Sequence, residues 1–252
     1  MTRLVAWFSC GAASAVATKL SIPFAQSMGY ELVIARCIVK EEHPDNERFS
    51  GDCEAWFSHP ITNLMNETHG GSVFNVMKKR QYAAGIEGAP CTLLLKKQVR
   101  EEFQRPDDVN VFGYCADEQG RWDAFLDANN IKAHAPLIER GITHDETLAM
   151  VKNAGIELPE MYRLGYQHNN CIGCVKASGA GYWNMIRRDF PERFWMMAGA
   201  TRMIGARLTR VDNKRVFLDE LPDGYGDYTQ EPEHQCGIFC EMAERDIKNE
   251  VA

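Results

Sequence analysis

The chain has 252 residues, 45% of them hydrophobic and 25% charged, with a formal net charge of -7. These proportions exclude a disordered, collagenous or coiled-coil protein, and the length suits one large domain or one domain with an appendage. No apolar run approaches the ~20 residues needed to span a bilayer. Met1-Thr2-Arg3 leads straight into a short apolar run without the h-region or small-residue cleavage site of a signal peptide, so the expectation is a cytoplasmic protein with no membrane association. Net acidity argues against broad nucleic-acid binding and leaves room for a local basic patch.

Residues 4–8 are apolar, with Val and aromatics, as a buried parallel strand requires. A small, polar stretch at 9–14 follows. Residues 15–28 favour helix, which Pro23 is predicted to kink or end, and Gly29 suits the helix exit. Residues 32–39 read as a second buried strand, completing a right-handed parallel crossover. Between 40 and 75 a helix is expected near 52–66 and a third strand at 72–76. Residues 91–103 look helical, with Leu93, Leu94 and Val99 on one side and a basic group at Lys96, Lys97 and Arg100. A further strand is expected at 109–114, a helix near 121–129 and a short last strand at 131–136. This alternation predicts an α/β doubly wound, mostly parallel sheet over residues 1–140.

After Gly141 the character changes. Thr143 is a helix N-cap with Glu146 completing a capping box. Helical pieces are expected at 145–153, 181–188 and 191–205, with no strong strand until 215–218. Residues 141–252 therefore read as a helical C-terminal subdomain bearing the paired cysteines.

Ser9-Cys10-Gly11-Ala12-Ala13-Ser14 sits directly after the first strand and opens the first helix. Free backbone N–H groups and the positive end of the helix dipole make that junction an anion site, and Ser9 and Ser14 can add hydroxyl hydrogen bonds. The loop is neither a Walker A motif nor a GxGxxG fingerprint.

Nine cysteines is a high count for a reducing compartment, and an odd number cannot pair completely. Cys171-Ile172-Gly173-Cys174 is a C-x-x-C that suits zinc, an iron–sulfur cluster or a redox dithiol. Cys236 and Cys240 form a second pair, and Cys91 follows Pro90 at a predicted helix N-terminus. Five cysteines, Cys91, Cys171, Cys174, Cys236 and Cys240, thus occupy ligand-like settings. Cys37 and Cys115 read as buried apolar residues, and Cys53 has no assignment.

The Ser9–Ser14 loop resembles the SGGxxS loop of the PP-loop, adenine nucleotide alpha hydrolase-like enzymes. Within them the chain is most similar to the phosphoadenosine phosphosulfate (PAPS) reductase family, phage members included, with Cys10 where a glycine is usual. The resemblance extends in short motifs from Leu4 to Cys240. It implies that Ser9 to Ser14 grip the phosphates or sulfate of ATP or PAPS and that the adenine lies near Val39 and Lys40. It also implies a [4Fe–4S] cluster, with zinc as the alternative. Cys91 before a basic helix looks like the first cluster element and Cys171/Cys174 like the second. Gln235-Cys236-Gly237-Ile238 looks like the terminal segment whose cysteine attacks sulfur, although Gln235 replaces an acid and Phe239 a histidine. Either Cys236 is a nucleophile beside a three-cysteine cluster, or one of Cys236 and Cys240 completes the metal site.

Two outcomes follow from the resemblance: reductive cleavage of a sulfonucleotide, drawing on a thiol donor, or ATP-dependent sulfur transfer to a nucleic acid, drawing on a cysteine-desulfurase donor. A non-catalytic nucleotide-binding zinc protein is the competing reading. Glu41, Glu42 and Asp45 after the second strand, and Asp117 and Glu118 after the fourth, are candidates for Mg²⁺ or a ribose hydroxyl or for solvated loops. Arg121, Lys96 and Lys97 are candidate phosphate contacts, Arg202 and Arg207 candidate anion contacts, and His168 a candidate donor beside the C-x-x-C.

Overall fold

The computed structural model describes residues 1–85 and 88–228. Strand β1 (Arg3–Trp7) is buried on both faces through Ala6, as the central strand of a covered parallel sheet must be. Helix α1 (Ala12–Met28) follows and ends at Gly29, whose left-handed φ of 64° returns two capping bonds to the last turn. Next come β2 (Glu31–Cys37), α2 (Asn46–Phe57), β3 (Ile61–Leu64) and α3 (Val73–Arg80). A composite helix then runs through α4 (Pro90–Thr92), a π-helical segment (Leu93–Lys97) and α5 (Gln98–Phe103). After it come β4 (Val109–Val111), α6 (Gln119–Ala128), β5 (Lys132–His134), α7 (Pro136–Glu139), α8 (His144–Asn153), α9 (Glu160–Arg163), α10 (Ala180–Asp189) and α11 (Pro191–Met203). A hairpin of β6 (Thr209–Val211) and β7 (Lys214–Val216) closes the described chain.

The first five strands form one parallel sheet in the order β3-β2-β1-β4-β5. The fold is therefore α/β, as expected. From β1 the chain moves outward to β2 and β3, then returns to the other side of β1 as β4. The carboxyl ends of β1 and β4 are thus the switch point at which open α/β sheets leave a crevice.

Several expectations are corrected. Residues 72–76 are not a strand but the start of α3. The Ser72 hydroxyl accepts the Asn75 N–H, and the Glu41 carboxylate accepts the Val73 N–H at 2.8 Å. The third strand is instead Ile61–Leu64, a half-exposed edge strand, and the helix expected at 52–66 is α2, ending at Phe57. Helix α1 passes through Pro23 to Met28. An interior proline costs roughly 3 kcal/mol. Burial of Leu20 and Ile22, each worth about 1.5–3 kcal/mol, outweighs it. The capping box of Thr143 and Glu146 is present as read.

Two apolar cores form. The first gathers Leu4, Ala6 and Phe8, α1, Phe49, Cys53 and Phe57 of α2, and Leu148, Met150 and Val151 of α8. The second joins Val73, Val76, Leu94 and Leu95 to Trp183, Ile186, Phe194 and Met197. Packing thus crosses residue 140 both ways: α8 lies on the sheet's core, and α3 with the π segment lies on the C-terminal helices. Among the described residues no helix is long and apolar enough to cross a membrane.

Candidate functional site

The loop after β1 is shaped from within. Cys10 adopts a left-handed φ of 58°, a conformation that costs a non-glycine residue about 1–2 kcal/mol. Its side chain is fully buried, with Sγ 3.7 Å from the carbonyl oxygen of Asn46. Burial pushes its thiol pKa up to about 12. Gly11 is the N-cap of α1, in extended geometry and without a side-chain cap, and no acid occupies the first turn. The first-turn amides therefore have neither an intrahelical acceptor nor a capping side chain. The Ser14 hydroxyl accepts from the Ser9 N–H at 3.0 Å and the Ser9 hydroxyl at 3.1 Å, and donates to the Gly11 carbonyl at 2.9 Å. Its proton is committed to holding the loop.

A residue the sequence reading passed over makes this loop possible. Gly113 follows β4, and a Cβ there would stand 2.7 Å from both the N and Cα atoms of Ser14. Only glycine lets the β4 exit lie against the first turn of α1. The run Phe112-Gly113-Tyr114 after a buried strand was the available signal.

Two adjoining cavities open at this switch point and share Trp7, Ser9, Phe112 and Tyr114. One, of about 390 Å³, is walled by those aromatics, Phe125, and Ala35 and Cys37 of β2, with Lys96, Lys97 and Arg100 from the composite helix. Arg100 lies over the rings of Phe112 at 5.6 Å and Phe125 at 5.4 Å and donates to Asn129 at 3.0 Å. Its buried Nε has no partner. Lys96 retains 45% of its side-chain exposure in the cavity yet is crowded by protein. Burial opposes its charge, but Glu42 at 3.3 Å overrides that, holding the ammonium charged. The second cavity, of about 660 Å³, has a mixed polar and apolar lining and reaches from Gly11, Ala13 and Ser14 to Asp117, Arg121, His144, His168, Cys174 and Lys176.

The C-x-x-C loop docks directly on the Ser9–Ser14 loop. Asn169 Nδ2 donates to the Cys10 carbonyl at 2.6 Å and to Asn46 Oδ1 at 2.8 Å. The Ile172 N–H donates to the Glu41 carbonyl at 2.8 Å. Gly173 turns the loop with a left-handed φ of 73°, and the Cys174 N–H donates to the Tyr182 hydroxyl at 2.8 Å. Burial raises the Cys91 pKa, and Cys174 adds to it; burial dominates at Cys171 too, where Cys174 and Cys91 reinforce it against Lys96. Thiols that oppose one another's ionisation are a donor set that a cluster or zinc would stabilise. Among the described residues no three metal-binding side chains converge into a preformed site. Cys236 and Cys240, the expected nucleophile and remaining ligand, lie outside the described residues.

Other expected residues are placed elsewhere. Val39 belongs to the second core, and the Lys40 N–H donates to the Gly71 carbonyl; neither borders the cavities. Ala12 is fully buried. The acids after β2 hold structure. Glu41 caps α3, and Glu42 pairs with Arg36 and Lys96. Asp45 pairs with Arg48 at 2.7 Å and accepts the Glu160 N–H at 2.9 Å. Glu118 accepts the Cys115 N–H and pairs with Arg121, and both Glu118 and Asp117 border the cleft. Arg202 is paired with Asp219 and Glu220, and Arg207 covers Phe217. Cys53 and Cys115 are buried in the first core, while Cys37 borders the aromatic cavity. His144 and His168, with rings 5.3 Å apart, are cleft residues whose pairing sequence spacing does not reveal.

No protein-family model matches the sequence, and no curated protein is significantly similar to it.

Proposed function

We propose that the chain is a PAPS reductase-like PP-loop enzyme, with an adenine nucleotide alpha hydrolase-like fold, that binds PAPS or ATP and performs cysteine-dependent sulfur chemistry. The supporting observation is the shared cleft: the uncapped first turn of α1 and Cys174 border one cavity, tied together by Asn169 on the Cys10 carbonyl. In this reading the base lies between the aromatic walls near Ala35 and Cys37, rather than at Val39 and Lys40. The phosphates face the amides of Gly11 to Ser14, with Arg121 and Lys176 of the same cavity supplying positive charge, while Lys96, Lys97 and Arg100 border the base.

In the reductive reaction a cysteine thiolate, Cys236 or Cys240 by resemblance, attacks the sulfonucleotide sulfur. The S–O bond breaks, the nucleotide leaves with its phosphate, and an S-sulfocysteine forms. An external dithiol then supplies two electrons, releasing sulfite and becoming a disulfide. A [4Fe–4S] cluster or zinc held by Cys91, Cys171 and Cys174 with a fourth sulfur would fix the cysteine-bearing loop against the nucleotide cleft. Sulfur transfer to nucleic acid is a second reading, favoured by the exposed basic hairpin of Arg210, Lys214 and Arg215; ATP would there activate the acceptor and a cysteine desulfurase would supply sulfur.

Calorimetric titration of anaerobically purified protein with ATP and with PAPS, alongside metal analysis and a sulfite-release assay with a dithiol donor, tests this reading. Nucleotide binding with sulfite release supports the reductase. Binding of ATP alone points to sulfur transfer. Stoichiometric zinc with nucleotide binding and no turnover points to the non-catalytic protein. Binding of neither nucleotide overturns the assignment.

A further inference from the structure

On the far side of the π segment lies a third cavity, of about 380 Å³, bordered by Asn66, His69, Lys79, Arg80, Leu94 and Gln98. The nucleotide cleft takes Lys96, Lys97 and Arg100 from the same composite helix, so that helix divides the two spaces.

His69 is 7% exposed, and its Nε2 is buried without a hydrogen-bond partner. The tautomer follows from its neighbours. Asn66 Nδ2 donates to the Leu94 carbonyl at 3.0 Å, so Asn66 Oδ1 is an acceptor. That oxygen lies 3.0 Å from His69 Nδ1, which must carry the proton. The neutral ring therefore holds an unshared pair on Nε2. Burial and the charges of Lys79 and Arg80 all disfavour a second proton there.

Lys79 and Arg80 are exposed in the last turn of α3 and form no ion pair among the described residues. The helix dipole accounts for cations at that end. It does not account for a cavity beside them bordered by a histidine lacking a partner. Two adjacent cations repel a metal ion, so a metal is the wrong occupant for the free nitrogen. The complementary ligand is an anion that also carries a hydrogen to donate.

We propose that this cavity binds inorganic phosphate or a phosphate monoester in its singly protonated form. Its oxygens pair with Lys79 and Arg80, and its P–OH donates to His69 Nε2. Free phosphate and the terminal phosphate of a polynucleotide share this chemistry. The site is independent of the nucleotide cleft.

The test is long-range ¹H–¹⁵N spectroscopy of the histidine rings in the full chain, with His69 assigned through His69→Gln. On adding inorganic phosphate the His69 Nε2 resonance is expected to move saturably. Because Lys79 and Arg80 are exposed, Lys79→Gln/Arg80→Gln keeps the fold, and loss of two charge-assisted contacts should weaken binding roughly tenfold or more. Sulfate, which has no hydrogen to give at neutral pH, should bind more weakly than phosphate. A 5′-phosphorylated oligonucleotide that shifts His69 where its unphosphorylated form does not would identify a polynucleotide end as the source; a response to inorganic phosphate alone would identify the free ion. A His69 ring unmoved by phosphate, or moved with equal affinity in the double variant, would overturn the site. Equal affinity for sulfate would overturn the hydroxyl requirement.

Discussion

Asn169 and Cys10 are 159 residues apart in sequence and 2.6 Å apart in the fold, the amide of one donating to the backbone carbonyl of the other. That contact sets the cysteine-bearing loop against the first turn of α1. Because Asn169 also donates to Asn46, it holds three chain segments in one geometry. Asn169→Ala should cost about 1–3 kcal/mol, since it leaves buried acceptors unpaired. Nucleotide affinity should fall more than the loss of stability alone explains. Urea midpoints together with nucleotide titration check this; unchanged values in both would show the contact to be incidental.

Gly113→Ala tests the approach of β4 to the loop. Alanine is conformationally permitted there, yet its Cβ would lie 2.7 Å from Ser14 backbone atoms. Overpacking of this kind costs about 1–3 kcal/mol. The loop must move, so nucleotide affinity should drop by roughly tenfold or more while circular dichroism stays native. Wild-type affinity in this variant would mean that the first turn of α1 does not hold the phosphates.

Burial separates the thiols into inert and addressable groups. With a pKa of about 12, Cys10 is thiolate in only about one molecule in 10,000 near pH 8. Burial likewise raises Cys53 and Cys115. Alkylation of the folded protein followed by peptide mass spectrometry should leave these three unmodified, and labelling in denaturant should reach all of them. Modification of Cys10 in the folded chain would contradict its placement.

His144 and His168 make stability depend on pH. Burial lowers the pKa of both from 6.5; His168 adds to the effect on His144, and Arg121 adds to that on His168 against the pull of Glu118. The unfolded chain therefore binds protons that the folded chain refuses below 6.5. Stability contributed by the neutral rings is complete above that value and is lost as pH falls toward the folded pKa. The loss should be larger for His144 than for the exposed His168, where solvent screens the effect. Urea midpoints at about pH 7.5 and about pH 5.5, compared with those of His144→Gln, measure it; His144→Gln should flatten the dependence.

Arg3 and Asp108 form a bidentate pair at 2.9 and 2.6 Å beneath the sheet, with the Asp108 side chain fully buried. Arg3→Met should destabilise by about 3–5 kcal/mol by removing the charged partner of that carboxylate, which keeps only the Arg105 N–H at 2.7 Å. The double change Arg3→Met/Asp108→Leu should recover much of the loss, as equilibrium denaturation can show.

Local signals settled what depends on local chemistry. The buried runs of β1 and β2, Gly29 at the helix exit, the Thr143–Glu146 capping box and the small-residue turn at Ser9 to Ser14 are each decided by a few adjacent residues. The third strand was misplaced because Ile61–Leu64 is half exposed and lacks a buried strand's apolar run, while Ser72–Val76 becomes helix through a cap supplied by Glu41. Pro23 sits inside a helix because burial outweighs its local cost. Which groups share the cleft was a tertiary decision. Gly113 meets Ser14, Asn169 meets Cys10, and His144 meets His168 only in the tertiary structure, since contacts between residues tens to more than a hundred positions apart leave no periodicity in the chain.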